Sequence, residues 1–118
     1  MKTSELIGPT LDWAVAKCEG YTPINHSRLA TVMVERVNAR GAWVPMQVSA
    51  LRFSTDWAQG GPIIERECIA LKALAAEPVY WRARTFGTSI GPTPLIAAMR
   101  CYVASKLGDE VDIPKELM

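Results

Sequence analysis

One histidine, three scattered cysteines and almost no net charge are the shortages of this 118-residue chain, and each excludes something. His26, in the polar stretch Asn25-His26-Ser27, cannot assemble a metal set alone and reads as a surface residue. Cys18, Cys68 and Cys101 are odd in number and lie far apart, with no pair at metal-ligand spacing. They read as reduced, mostly buried thiols of a cytoplasmic protein. Thirteen basic against twelve acidic side chains leave +1. That balance argues against a protein that coats nucleic acid, though it permits a local basic patch. The uncharged run 86–99 is broken by Gly87, Gly91, Pro92 and Pro94, so it cannot span a bilayer as a helix. Residues 1–5 lack the apolar core of a secretory signal. Nucleophile elbows, phosphate loops with a following Lys-Ser/Thr and dinucleotide fingerprints are all missing.

What is present suits one ordinary globular domain over 1–118, with 49% apolar and 21% charged residues. A chain of this length buries about two-thirds of its unfolded surface. Leu11, Ala14, Val15 and Cys18 make an apolar stripe, which predicts a helix over 10–19 capped by Thr10 and stopped by Gly20. Trp13 lies off that stripe. Residues 21–49 leave helix and hairpin open before a turn at Asn38-Ala39-Arg40-Gly41 and an extended segment over 43–48. Strict alternation predicts strands over 68–74 and 79–86, joined by Ala75-Ala76-Glu77-Pro78. Gly91-Pro92, the cap Thr93 and Pro94 announce a last helix, stopped by Gly108. Leu95, Ile96, Met99, Tyr102, Val103 and Leu107 mark its buried face, with Lys106 along the edge. Arg100 breaks the apolar run there, either as an exposed residue or as a paired charge pointing into a groove. Residues 109–118 form an acidic surface tail. Helices on an antiparallel sheet give an α+β class, an α/β sandwich.

The densest stretch runs from Phe53 to Glu67. Asp56 with Gln59 three residues later has the capping-box pattern, and Pro62 fits an early helical position. Gly60 and Gly61 would admit a close approach by a ligand or by another backbone. Free amides at a helix start attract anions, Ser54 and Thr55 could add hydroxyl donors, and Trp57 offers a stacking face. Arg66, between Glu65 and Glu67, presents a fork suited to phosphate or carboxylate; a solvated helix face is the alternative. Asp56 and Glu65 are the carboxylates whose separation would matter to an enzyme. Arg82 and Arg84 share a strand face with Tyr80 and Phe86, a pattern that suits a phosphorylated or nucleobase-containing ligand as well as a half-exposed strand.

Three segments then carry a family likeness: Thr10-Leu11-Asp12-Trp13-Ala14-Val15-Ala16-Lys17, the central Ser54-Thr55-Asp56-Trp57 with 60–67, and the run from Gly91 to Gly108. Together they resemble the NinX family of small tailed-phage and prophage proteins, over well more than half the chain. Residues 21–50 do not share the likeness, and Arg52-Phe53 departs from the aromatic-x-Pro lead-in expected before Ser54. The resemblance implies expression inside an infected or lysogenic bacterium, an accessory role and no catalytic residue to carry over. The expectation is therefore a non-enzymatic cytoplasmic protein without cofactor, binding a small anionic nucleotide-like ligand through residues of the central stretch with Arg82 and Arg84. A module docking on a host protein through Trp13, Trp43 or Trp57 is the alternative. Four tryptophans and a small sheet predict a homo-oligomer, most simply a dimer.

Overall fold

The computed structural model describes residues 1–24, 33–37, 40–74 and 78–117. His26 lies outside them, and so does the side chain of Trp43.

Three helices are built from locally consistent signals. The first, α1, is Pro9–Cys18. Its N-cap is Gly8, at φ 58°, and not Thr10 as expected. Pro9 takes the first helical position, where its missing N–H costs nothing. Thr10 instead accepts the Ile7 N–H at 3.1 Å and donates to the Ile7 carbonyl at 2.8 Å, closing the entry turn. Residues 10–16 of α1 are all buried, so the predicted stripe is only part of its covered surface and Trp13 is enclosed as well. The helix ends in a Schellman motif. Gly20 is left-handed at φ 90°, its N–H meeting Lys17 O, and Tyr21 N–H meets Ala16 O.

The second helix, α2, is Trp57–Arg66, and the third, α3, is Pro94–Leu107. Thr93 caps α3 by accepting the Ile96 N–H at 3.1 Å, and Gly108 ends it at φ 86°. The centre of the molecule is α3, packed against α1, α2 and a sheet. Its Leu95–Met99 and Cys101–Val103 are buried. Each large apolar side chain enclosed there contributes about 2 kcal/mol of transfer free energy.

The described parts of the segment left open between helix and hairpin are strand. β1 (Thr22–Ile24), β2 (Met33–Val37) and β3 (Trp43–Gln47) form an antiparallel sheet in that order, with Val37 opposite Trp43. Pro45 is tolerated because β3 is an edge strand in this sheet. A second antiparallel sheet has the order β4 (Ala70–Leu74), β5 (Tyr80–Arg84), β6 (Thr88–Gly91). Both predicted strands are present, shortened at their ends, and β6 is a third that alternation did not reveal. Gly91 has to be glycine because a Cβ there would lie 2.7 Å from Ala97 N. One face of this sheet, with Leu71, Trp81 and Ala83, packs against the core; the other carries Lys72, Tyr80, Arg82, Arg84 and Ile90. The result is a small α+β domain.

The acidic tail is partly tied in. Met1 N donates to Val111 O at 3.0 Å and Thr3 N to Asp109 O at 2.8 Å, so that the backbones of Lys2 and Glu110 face each other as an isolated antiparallel bridge. Val111 is buried, while Asp109, Glu110 and Asp112 are exposed. Among the described residues no helix is long and apolar enough to cross a membrane.

Candidate functional site

The central stretch folds as a capped helix with its glycines inside. Asp56 accepts the Ala58 N–H at 2.9 Å. Gln59 does not close the reciprocal bond of a capping box; its Oε1 accepts the Arg52 N–H at 2.8 Å, pinning the preceding turn. The Asp56 carboxylate therefore occupies the place an anion would take at this N-terminus. Gly60 and Gly61 lie in the body of α2, as does Pro62. The close approach that Gly60 allows is internal: a Cβ would run into the Phe53 carbonyl oxygen and come within 2.6 Å of Leu95 Cδ1. Ser54 is buried, and its N–H donates to Asp12 Oδ1 at 2.8 Å. Burial raises the Asp12 pKa, and the bonds from Ser54 oppose that rise. Ser54, Thr55 and Trp57 do share a groove of about 220 Å³ with Thr93, Pro94 and Leu95, where α2 and α3 begin. Trp57 is 53% exposed beside it.

Arg66 stands at the other end of α2, about 13 Å from Trp57 along the helix. The two cannot flank one small ligand, and Asp56 and Glu65 are separated in the same way. Arg66 is also already engaged. Its guanidinium forks onto Glu19 at 3.1 and 2.7 Å and reaches the Tyr102 hydroxyl at 3.2 Å. Tyr102 in turn donates to Glu19 Oε2 at 2.7 Å. Burial would raise the Glu19 pKa, but the hydrogen bonds from Arg66 and Tyr102 hold it below the ordinary 4.5. This triad joins α1, α2 and α3. Glu65 is exposed on the surface of α2.

Arg82 and Arg84 are on the outer face of β5 as alternation predicts, with Tyr80 beside them. Phe86 has left the strand for the β5–β6 turn and is fully exposed. Arg84 pairs across the sheet with Thr88 and Arg82 with Ile90.

Thr88 and Ile90 also line a cleft of about 580 Å³, which lies between β6, α3 and the paired chain ends. That volume is within the range of small-molecule sites. Arg100, the residue that broke the apolar run, is in its wall. Its Nε donates to Leu6 O at 2.8 Å and one terminal nitrogen to Ile90 O at 2.9 Å. The ion pairs among the described residues are Arg66–Glu19, Arg66–Glu67 and Lys106–Glu67, and none of them involves Arg100. Burial pushes its pKa down, the mark of a guanidinium desolvated without a carboxylate. Lys2 adds a second cation to the cleft, and Ser4, Thr88 and Ser89 add hydroxyls. Asp109 and Glu110 stand in the same lining. Sequence reasoning noticed Arg100 but not the cleft, because β6 and the returning tail that enclose it carry no motif.

Of the thiols expected to be mostly buried, Cys101 is buried, Cys18 is half-buried and Cys68 is exposed. Burial pushes Cys18 up to about 12 and raises Cys101 as well, which leaves both protonated near neutrality. Among the described residues no three His, Cys, Asp or Glu side chains are grouped to hold a metal.

The described residues thus form a small α+β domain in which Arg100 is braced by two backbone carbonyls in the wall of an open cleft. Its family is specific: residues 2–106 match the family model described as Bacteriophage P22, NinX, so the chain belongs to that phage family. No curated protein matches it.

Proposed function

We propose that this is a phage accessory protein of the infected or lysogenic host's cytoplasm that binds, without transforming, a small anionic nucleotide-like ligand. Sequestering a nucleotide signal of host defence is the role such binding would serve. The observation that carries the reading is Arg100. A guanidinium held by two backbone carbonyls, partly desolvated and in no ion pair among the described residues, is preorganised for an anion and gains from meeting one. Lys2 and the hydroxyls of Ser4, Thr88 and Ser89 suit the remaining phosphate oxygens. The carboxylates of Asp109 and Glu110 suit donors elsewhere on the same molecule, as sugar hydroxyls are.

Isothermal calorimetry across a panel of mono-, di- and cyclic nucleotides tests this. At least one member is expected to bind the wild-type protein, and Arg100→Gln to weaken it by roughly 10- to 100-fold, as for a lost charged hydrogen bond. A panel without heat, or an Arg100→Gln protein that binds equally well, contradicts the reading.

Exposed apolar side chains favour a second reading, docking on a host protein. Phe86 is fully exposed at one end of β5, and Val79, Tyr80 and Ile90, elsewhere along β5 and β6, are 51%, 42% and 50% exposed. In that case the nucleotide panel stays silent, while Phe86→Ser abolishes capture of a host protein. A dimer joined along free strand edges belongs to either reading, and sedimentation measures it.

A further inference from the structure

We propose that the outer face of the β4–β6 sheet is a docking platform for single-stranded nucleic acid. The face is defined by register. Lys72 stands directly opposite Arg82, and Arg84 lies one pleat further along the same side of β5. Like charges placed directly across a ladder repel one another. Nothing relieves them here: the described residues of β4, β5 and β6 contain no Asp or Glu, and none of the three cations takes part in an ion pair among the described residues. The near-neutral net charge hides this segregation. A face with three cations, no acid and an unfavourable opposed pair is complementary to a polyanion.

The groups beside the cations select the polyanion. Tyr80 continues the row of Arg84 and Arg82 along β5, and Ile90 stands beside Arg82. Both are about half exposed, and Phe86 projects fully exposed from the turn at the end of the same strand. An aromatic face at the end of a row of arginines stacks a base of any kind while the cations follow the backbone, and a chain of carboxylates has no ring to stack on it. Arg82 and Arg84 are about 7 Å apart along the strand, the order of separation of successive phosphates on an extended single strand. A flat three-stranded face projects no element into a duplex groove, which disfavours double-stranded DNA. The platform adjoins the cleft at Ile90, but its cations stand on β4 and β5 while Arg100 is in α3, so variants separate the two.

The test is fluorescence anisotropy with labelled oligothymidylate and oligouridylate, titrated at several salt concentrations. Wild-type protein is expected to bind with log K falling against log salt at a slope of about −2, three contacts at about −0.7 each. Arg82→Gln with Arg84→Gln should lower affinity at least tenfold at low salt and bring the slope to about −0.7. Tyr80→Ala should lose about tenfold with the slope unchanged, because stacking carries no counterion term. Arg100→Gln should bind the oligonucleotides normally, so failure of the cleft and failure of the platform are separable. Unfolding curves of the surface variants, matching the wild type, confirm that they are folded. The proposal is overturned if no oligonucleotide binds at low salt, if the double arginine variant keeps the full slope, or if duplex binds as tightly. It is equally overturned if polyglutamate binds as well and Tyr80→Ala changes nothing, which would make the face a dock for acidic protein.

Discussion

Gly60 and Gly61 are neighbours in one helix with opposite surroundings. Gly60 is a packing glycine, its missing side chain being the space that Phe53 and Leu95 occupy, whereas Gly61 has only Trp57 Cε3 nearby, 3.9 Å from a Cβ. Gly60→Ala should therefore destabilise the protein by about 1–3 kcal/mol through overpacking, despite alanine's helix propensity. Gly61→Ala should stabilise it by about 0.5–1 kcal/mol. Thermal or urea unfolding of the two variants reads both signs. Glycine spacing made this stretch conspicuous in the sequence, but nothing local distinguishes a glycine that admits a ligand from one that admits the protein's own chain. Helix ends show the same limit. Both α1 and α2 close with Schellman bonds, but only α1 has glycine at the left-handed position. In α2 the residue there is Cys68, at φ 53°, with its N–H on Glu65 O and the Ile69 N–H on Ile64 O. A cysteine carries no stop signal, so the strand was predicted to begin at 68 when it starts at Ala70.

Among elements, the triad of Glu19, Arg66 and Tyr102 decides how the helices are held together. Its acid has a folded-state pKa below the ordinary 4.5. The stabilisation it supplies is thus fully present above that value and is lost as pH falls through the lower, folded pKa. Glu19→Gln should cost about 1 kcal/mol at neutral pH, a modest figure because Arg66 is half exposed. The melting temperatures of the two proteins should converge as pH drops well below 4.5; a constant gap down to the lowest pH would remove Glu19 from this role. Arg66 was legible as an anion-binding fork, and its partner proved to be internal. Sequence distance hides that partner, since Glu19 is 47 positions away. Alternation carried β4 and β5, and the Thr93-Pro94 start carried α3, because those signals are local. The β2–β3 pairing was not decidable because Leu29, Val32, Met33 and Val37 also fit a helical period. Strand β6 is only four residues long, too short for a pattern to emerge.

At the scale of the whole molecule, the two chain ends build one side of the cleft. Residues 1–3 pair with 109–111, and Thr3 Oγ1 donates to Gly108 O at 2.7 Å, which places Lys2, Asp109 and Glu110 against β6 and Arg100. No motif could reveal a cleft whose walls lie about a hundred residues apart in the chain. Family membership was legible, because long segments near both ends and in the centre carry it. The most direct measurement is native mass spectrometry of the wild-type and Arg100→Gln proteins, each purified from phage-infected bacteria. The account predicts a wild-type mass raised by a bound species on the order of a few hundred daltons, the size this cleft admits, and a bare Arg100→Gln mass. Identical spectra for the two proteins, whether both bare or both loaded, would contradict it.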